Sequence, residues 1–213
     1  MKQDDTKKMI LDEALRLFSE YGYESVGMGQ IAEAVGIKAP SLYNHYSGKQ
    51  AIFDAIVGKI SEQYERDTDK LDIHVQNAGL DTGLFTGITE DLLADKVRQM
   101  FLYSLHDETI SRFRRMMTIE QFRSPVLAEL YSRRYVTRLV EYHAALFRRL
   151  MEAGEIVQGD AGALAVMYTS PLIVYLGVCD RQPEMEDECL KKLDAHVRLF
   201  FRTYNVSERR KRG

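Results

Sequence analysis

Met28-Gly-Gln-Ile-Ala-Glu-Ala-Val-Gly-Ile-Lys-Ala-Pro-Ser-Leu-Tyr-Asn-His-Tyr-Ser-Gly-Lys49 is the stretch whose reading decides the fold. It reads as two short helices joined by a tight turn. Gly36 stands where such a turn needs a residue without a Cβ. Ile31, Ala32 and Val35 form the apolar side of the first helix, Leu42 that of the second, and Ile37 plugs the joint. Lys38, Ser41, Tyr43 and His45 fall on the remaining surface of the second helix. A helix-turn-helix of this kind lays its second helix in the DNA major groove. Outward from it, Ile10, Ala14, Leu17, Phe18 and Tyr21 recur at three- and four-residue steps, which predicts a helix from near Asp5 to Ser19, ended by Gly22. Downstream, Ile52, Phe53, Ile56, Ile60 and Tyr64 share one face of a long helix from Gln50 to about Asp69.

The segment Ile10-Leu11-Asp12-Glu13-Ala14-Leu15-Arg16-Leu17-Phe18, then Tyr21-Gly22-Tyr23, Ile31-Ala32, Val35-Gly36, Leu42-Tyr43-x-His45-Tyr46 and Lys49, resembles the TetR family of transcriptional regulators. The resemblance implies an all-α chain. A helix-turn-helix DNA-binding domain is expected at 4–64, with its motif at about 27–46, and a helical effector-binding and dimerisation domain at 65–206. By resemblance the groove-facing positions are Lys38, Ala39, Pro40, Ser41, Tyr43, Asn44 and His45, with Lys49 opening the next helix. Lys38 can reach a guanine edge or a phosphate. Ser41, Tyr43 and His45 carry donors suited to phosphate. The chain departs from the family pattern at Gly27 and Gly29, where many members place a capping hydroxyl and a charged residue. A backbone N–H is the substitute left for the phosphate contact.

Composition narrows the class. The 213 residues are 45% hydrophobic and 29% charged, with only four prolines, which favours helices and suffices for a sizeable core. The formal net charge of -3 does not mark a DNA binder, but a local patch decides binding, and Lys38, His45 and Lys49 supply a thin one. Cys179 and Cys189 are too few for a disulfide framework and lack zinc-site spacing, so reduced thiols in a cytoplasmic protein are expected. The N-terminus has no apolar run resembling a signal peptide. The most apolar segment, Ala163 to Val178, holds Thr169, Ser170 and Pro171 and reads as a buried helix, so no membrane partner is expected.

Further along, Asp72 to Thr89 contains Gly79, Gly83 and Gly87 without a period and reads as an irregular link. Thr89-Glu90-Asp91 opens a helix; Asp107 to about Phe122 forms another. Ser124-Pro125 starts one that reaches Ala153, with Gly154 as its stop. Asp160 caps the helix holding the apolar run, Asp180 to Pro183 is a loop, and Glu186 to Tyr204 is the last amphipathic helix. The basic tail at 207–213 is expected to be disordered.

The chemistry-bearing patterns are few. Gly27-x-Gly29-x-x-Ala32 formally matches a dinucleotide fingerprint, but no strand precedes it. Ser47-Gly48-Lys49 lacks the upstream glycine of a P-loop. The histidines His45, His74, His106, His143 and His196 are scattered, without a partner at helical spacing, so no metal and no cofactor are expected. No nucleophile signature appears, and the chain reads as a regulator rather than an enzyme. Instead, the C-terminal part is rich in Met, Phe and Tyr. Most of these residues are core, yet methionine adapts to varied shapes and tyrosine adds a hydroxyl handle. Met100, Tyr103, Arg114, Met117, Phe122, Tyr135, Tyr142, His143 and Tyr168 are therefore the candidate effector pocket. The expected partners are a double-stranded DNA operator, a second copy of the chain and a small apolar or amphipathic effector that releases a repressor from a palindromic site. The alternative is a DNA-bound adaptor with no small effector, recruiting another protein. The last two helices have wide apolar faces, and Gly162, Ala163, Ala165 and Gly177 permit close approach in a dimer; Val197 and Phe200 are candidates for its seam.

Overall fold

The computed structural model describes residues 3–70, 73–74 and 77–210. Among them the secondary structure is helical, with one isolated antiparallel bridge between Ile156 and Asn205. The helices are α1 (Gln3–Tyr21), α2 (Met28–Val35), α3 (Ala39–Tyr43), α4 (Lys49–Asp69), α5 (Ala78–Phe85), α6 (Glu90–His106), α7 (Glu108–Glu120), α8 (Pro125–Ser132), α9 (Arg138–Glu152), α10 (Ala161–Arg181), α11 (Glu186–Tyr204) and α12 (Val206–Arg210). The helix expected from Ser124 to Ala153 is present, but a π-helical turn at Arg133–Thr137 divides it into α8 and α9.

The chain forms two compact units, Met1–Tyr64 with Glu108–Tyr131, and Glu65–Asp107 with Ser132–Gly213. The first is larger than the contiguous 4–64 domain because α7 packs against α1. Ile10, Phe18, Ile31, Leu42, Ile52, Phe53 and Ile56 are buried together with Phe113, Met116 and Met117 of α7. Phe18, Tyr23 and Phe53 meet edge-on with centroids 5.1 Å apart, and Phe53 reaches Phe113 at 6.4 Å. Burying each such ring contributes about 1.5–3 kcal/mol.

Gly22 ends α1 at φ 85, in the left-handed region, and Gly22 N–H closes on Phe18 O at 3.0 Å. A Cβ there would lie 2.7 Å from Glu120 Oε1 and 3.1 Å from Arg123 Nη1. Glu120 is buried, and Oε1 accepts from Arg123 Nη1 at 3.2 Å. Gly22→Ala should therefore destabilise the protein by at least the roughly 1–2 kcal/mol of a left-handed L-residue. A denaturation midpoint unchanged from the native protein would show that the turn tolerates the methyl group.

The second unit corrects three expectations. The link at 72–89 is not irregular throughout: Asn77 Oδ1 caps α5 by accepting from Gly79 N at 3.0 Å. Asp81 of α5 is fully buried, accepting from His74 N (3.1 and 2.9 Å), from His74 Nδ1 (2.6 Å) and from the Tyr142 hydroxyl of α9. The glycines hide a short helix pinned by one carboxylate. Secondly, the apolar run is not a buried helix. α10 is long and apolar enough to cross a membrane, but only 28% of its most apolar window is buried. Ala163, Val166, Met167, Ser170 and Val174 form an exposed stripe at helical spacing. On α11, Val197 and Phe200 are core, whereas Leu199 is 66% exposed. Thirdly, residues 207–210 of the basic tail are helical, as part of α12, because Asn205 Oδ1 accepts from Glu208 N at 3.0 Å and Val206 N donates to Glu155 O at 2.9 Å. Residues 211–213 lie outside the described residues. Cys179 and Cys189 are free and buried, and burial pushes the Cys179 thiol up to about 12, so it stays protonated.

Candidate functional site

The bihelical motif is built from its turn. Gly36 at φ 76 lets Ile37 N–H reach back to Ala32 O at 2.9 Å, closing the end of α2. At the start of α2, Gly27 N donates to Gln30 Oε1 at 2.8 Å, so Gln30 supplies half of a capping box whose hydroxyl half is missing. Lys38 takes an extended conformation as the N-cap of α3, and Pro40 lies in the first turn, where its missing N–H costs nothing. Fully buried Leu42 fixes the rotation of α3. That rotation exposes Lys38, Ala39, Pro40, Ser41, Tyr43 and Asn44 together.

The last two candidates of this group are held differently. His45 is half-buried, and its Nδ1 is enclosed without a hydrogen-bond partner among the described residues. Lys49 Nζ donates to Tyr23 O (2.8 Å) and Glu24 O (3.3 Å) and sits 4.4 Å from the Tyr23 ring centroid. Its ammonium thus ties the α1–α2 loop to α4. Nothing in the sequence signals this internal partner, since the loop carbonyls carry no side-chain mark.

The nine effector-pocket candidates are divided between the two units. Arg114 and Met117 are buried on α7, in the first unit, and Phe122 is 87% exposed after it. Tyr135 lies in the π-helical turn, half-buried. Met100 is half-buried on α6. The Tyr103 hydroxyl donates to Asp67 Oδ2 at 3.0 Å, and Tyr142 holds Asp81. Of the nine, His143 and Tyr168 line one cavity together.

That cavity, of about 60 Å³, lies within the second unit, bounded by α9, α10, α11 and the 85–88 segment. Leu146, Phe147, Leu150, Phe200 and Phe201 are among its lining residues, as are Phe85 and Ile88 on either side of Gly87. Sequence reasoning misses those residues because they sit in apolar stripes that also serve the core. His143 Nδ1 donates to Leu139 O at 2.8 Å, so in the neutral ring Nε2 is the lone-pair acceptor. Burial pushes the His143 pKa down to about 4, so it is neutral at physiological pH. Burial also raises the Tyr168 hydroxyl, which has no hydrogen-bond partner among the described residues. A wider groove of about 300 Å³ runs between α6 and α11, lined by Asp95, Arg98, Asp187, Lys191 and Asp194 among apolar residues. Among the described residues no group of three or more His, Cys, Asp or Glu could hold a metal ion.

Residues 10–56 match the family model of bacterial regulatory proteins, tetR family. Over 54 residues the chain is 35% identical to the HTH-type transcriptional repressor ComR of Escherichia coli (strain K12), a match covering 25% of this chain and 26% of that one. The matched region thus spans about a quarter of that relative. A TetR-family structure from Mesorhizobium loti superimposes with a TM-score of 0.70 at 21% identity, covering 97% of this chain and 100% of the other. The SmeT–triclosan complex, SmeT being the repressor of the Stenotrophomonas maltophilia multidrug efflux pump SmeDEF, gives 0.68 at 22% identity, covering 94% and 92%. At these identities the two structures establish the fold.

Proposed function

Since residues 10–56 make this chain a member of the tetR family of bacterial regulatory proteins, we propose that it is a homodimeric, ligand-responsive transcriptional repressor that leaves a palindromic operator when a small molecule binds. The carrying observation is the joint exposure of Lys38, Ala39, Pro40, Ser41, Tyr43 and Asn44 on a helix held by a fully buried Leu42. A domain at 4–64 reads DNA, and residues 65–206 hold the effector and the dimer face.

The exposed stripe of α10, joined by Leu199 of α11, supports pairing with a second copy. An apolar face of this kind marks an interaction surface. Two copies then read two half-sites at once. A ligand that alters their separation lowers DNA affinity. The coupling typical of such switches, about 1–3 kcal/mol, must act equally in both directions. The cavity under His143 and Tyr168 supports the effector reading, as does the solved complex of SmeT with triclosan. The adaptor reading is favoured by one observation, the exposure of Ile119 (51%), Phe122 (87%) and Val126 (68%), which would suit a protein partner.

The reading is tested at the recognition helix. Lys38→Ala should lower affinity for the operator and relax sequence preference, because one base-edge contact gives about 1–3 kcal/mol of discrimination. Tyr43→Ala should weaken operator and scrambled DNA alike. Titrations of both duplexes at one salt concentration separate the two effects. Equal losses on both duplexes for Lys38→Ala would make Lys38 a backbone contact.

A further inference from the structure

Two residues with polar rings share the cavity wall. The His143 and Tyr168 rings lie 5.1 Å apart between centroids. His143 Nε2 has a lone pair to offer, because Nδ1 carries the proton given to Leu139 O. The Tyr168 hydroxyl has a proton to give, yet the two do not hydrogen-bond to each other or to any other described residue. Both side chains line the cavity, so a ligand seated there can pair with each.

From this we propose that the cavity takes a neutral aromatic ring bearing one hydroxyl, a phenol, whose oxygen accepts from Tyr168 Oη–H while its own O–H donates to His143 Nε2. A hydroxyl is the small group that accepts and donates through one atom. A methyl ether or ketone would leave Nε2 without a donor. The ring is matched by the wall: Phe147 and Tyr168 meet edge-on at 5.5 Å, and Tyr168 and Phe200 lie 4.9 Å apart.

Negative charge has no partner in the wall. No Lys or Arg lines the cavity to receive a carboxylate. The same surroundings that lower His143 and raise Tyr168 disfavour either sign of charge on a ligand. Glu155 lines the cavity, but its Oε2 already accepts from Gly87 N at 3.1 Å. The space of about 60 Å³ is smaller than the roughly 150 Å³ that accommodates benzene in an engineered protein cavity. A ring therefore enters by displacing wall side chains, and half-buried Phe85 and Ile88, on either side of Gly87 at φ 67, are the ones on a short connection.

The inference rests on the effector reading above and can fail separately from it. Para-cresol, its methyl ether, para-toluate, para-methylbenzylammonium and methylcyclohexanol are titrated calorimetrically into the full-length protein, its Tyr168→Phe and His143→Phe variants, and a cavity-filling Leu146→Trp variant. Para-cresol is expected to bind about tenfold more tightly than the ether. Tyr168→Phe should lower the affinities of cresol and ether alike several-fold and keep their ratio, because either oxygen accepts from the Tyr168 hydroxyl. His143→Phe should make the two equal, and Leu146→Trp should abolish both. Should His143→Phe fail to fold, the cresol-to-ether ratio in the native and Tyr168→Phe proteins still decides. Equal binding of cresol and ether, or tightest binding of the toluate, the ammonium compound or the cyclohexanol, overturns the phenol assignment while the effector cavity stands. Absence of binding by every compound, or binding that persists in Leu146→Trp, overturns the cavity as the effector site and the phenol with it.

Discussion

Val174→Arg combined with Leu199→Arg should turn the protein into a monomer at micromolar concentration and lower its operator affinity by about 10²–10⁴-fold. Both residues are exposed, at 56% and 66%, so the charges need not disturb the fold of the single chain. Their burial against a second copy would strand unpaired guanidinium groups at an apolar seam. The size of the DNA effect follows from linkage. A dimer meets its second half-site at high effective concentration, and a monomer does not. Sedimentation velocity measures the first half of the expectation and titration of a duplex operator the second. A variant that stays dimeric would move the seam away from α10 and Leu199. A monomer with undiminished affinity would remove bivalent reading from the mechanism.

Asp81→Ala is expected to lower the stability of the protein by about 1–3 kcal/mol, the range for leaving buried hydrogen-bond donors without their acceptor. One carboxylate accepts from the His74 backbone, the His74 ring and the Tyr142 hydroxyl, and it lies at 0% exposure. That loss is a large share of the 5–15 kcal/mol typical of a folded domain. Asp81→Asn keeps one acceptor oxygen and should cost less. Urea denaturation followed by circular dichroism compares the three proteins. A loss below about 1 kcal/mol for the alanine variant would mean that α5 is held by its apolar contacts and that Asp81 is incidental.

The N-terminal half of the first unit is legible in sequence because its signals are local. Gly36 marks a left-handed turn, Leu42 is the buried apolar residue of a five-residue helix, and Pro40 opens that helix. These marks locate the exposed face without any long-range information. The pocket is not legible for the opposite reason. A Met or Phe in an apolar stripe looks the same whether it faces a filled core, as Met117 does, or a space, as Phe147 does. Which stripe meets which is decided by packing between segments far apart in the chain, and α7 joins the first unit rather than the second. The link at 72–89 reads as irregular because three glycines outweigh Asn77 and Asp81, whose capping and buried hydrogen bonds carry the helix. Lys49 shows the same limit at smaller scale: its spacing marks it as a cation beside α3, while the carbonyls that hold it have no signature in sequence.

A dimer that reads an inverted repeat through the exposed face of α3 is the centre of the proposed mechanism. Selection of bound duplexes from a random-sequence library, followed by sequencing, tests it most directly, because no operator sequence has to be assumed. The native protein should enrich an inverted repeat whose half-sites lie about one helical turn apart, or a multiple of it, and the Val174→Arg, Leu199→Arg variant should enrich nothing. Recovery of no common sequence, or of a single unrepeated site bound equally well by that variant, would contradict the mechanism.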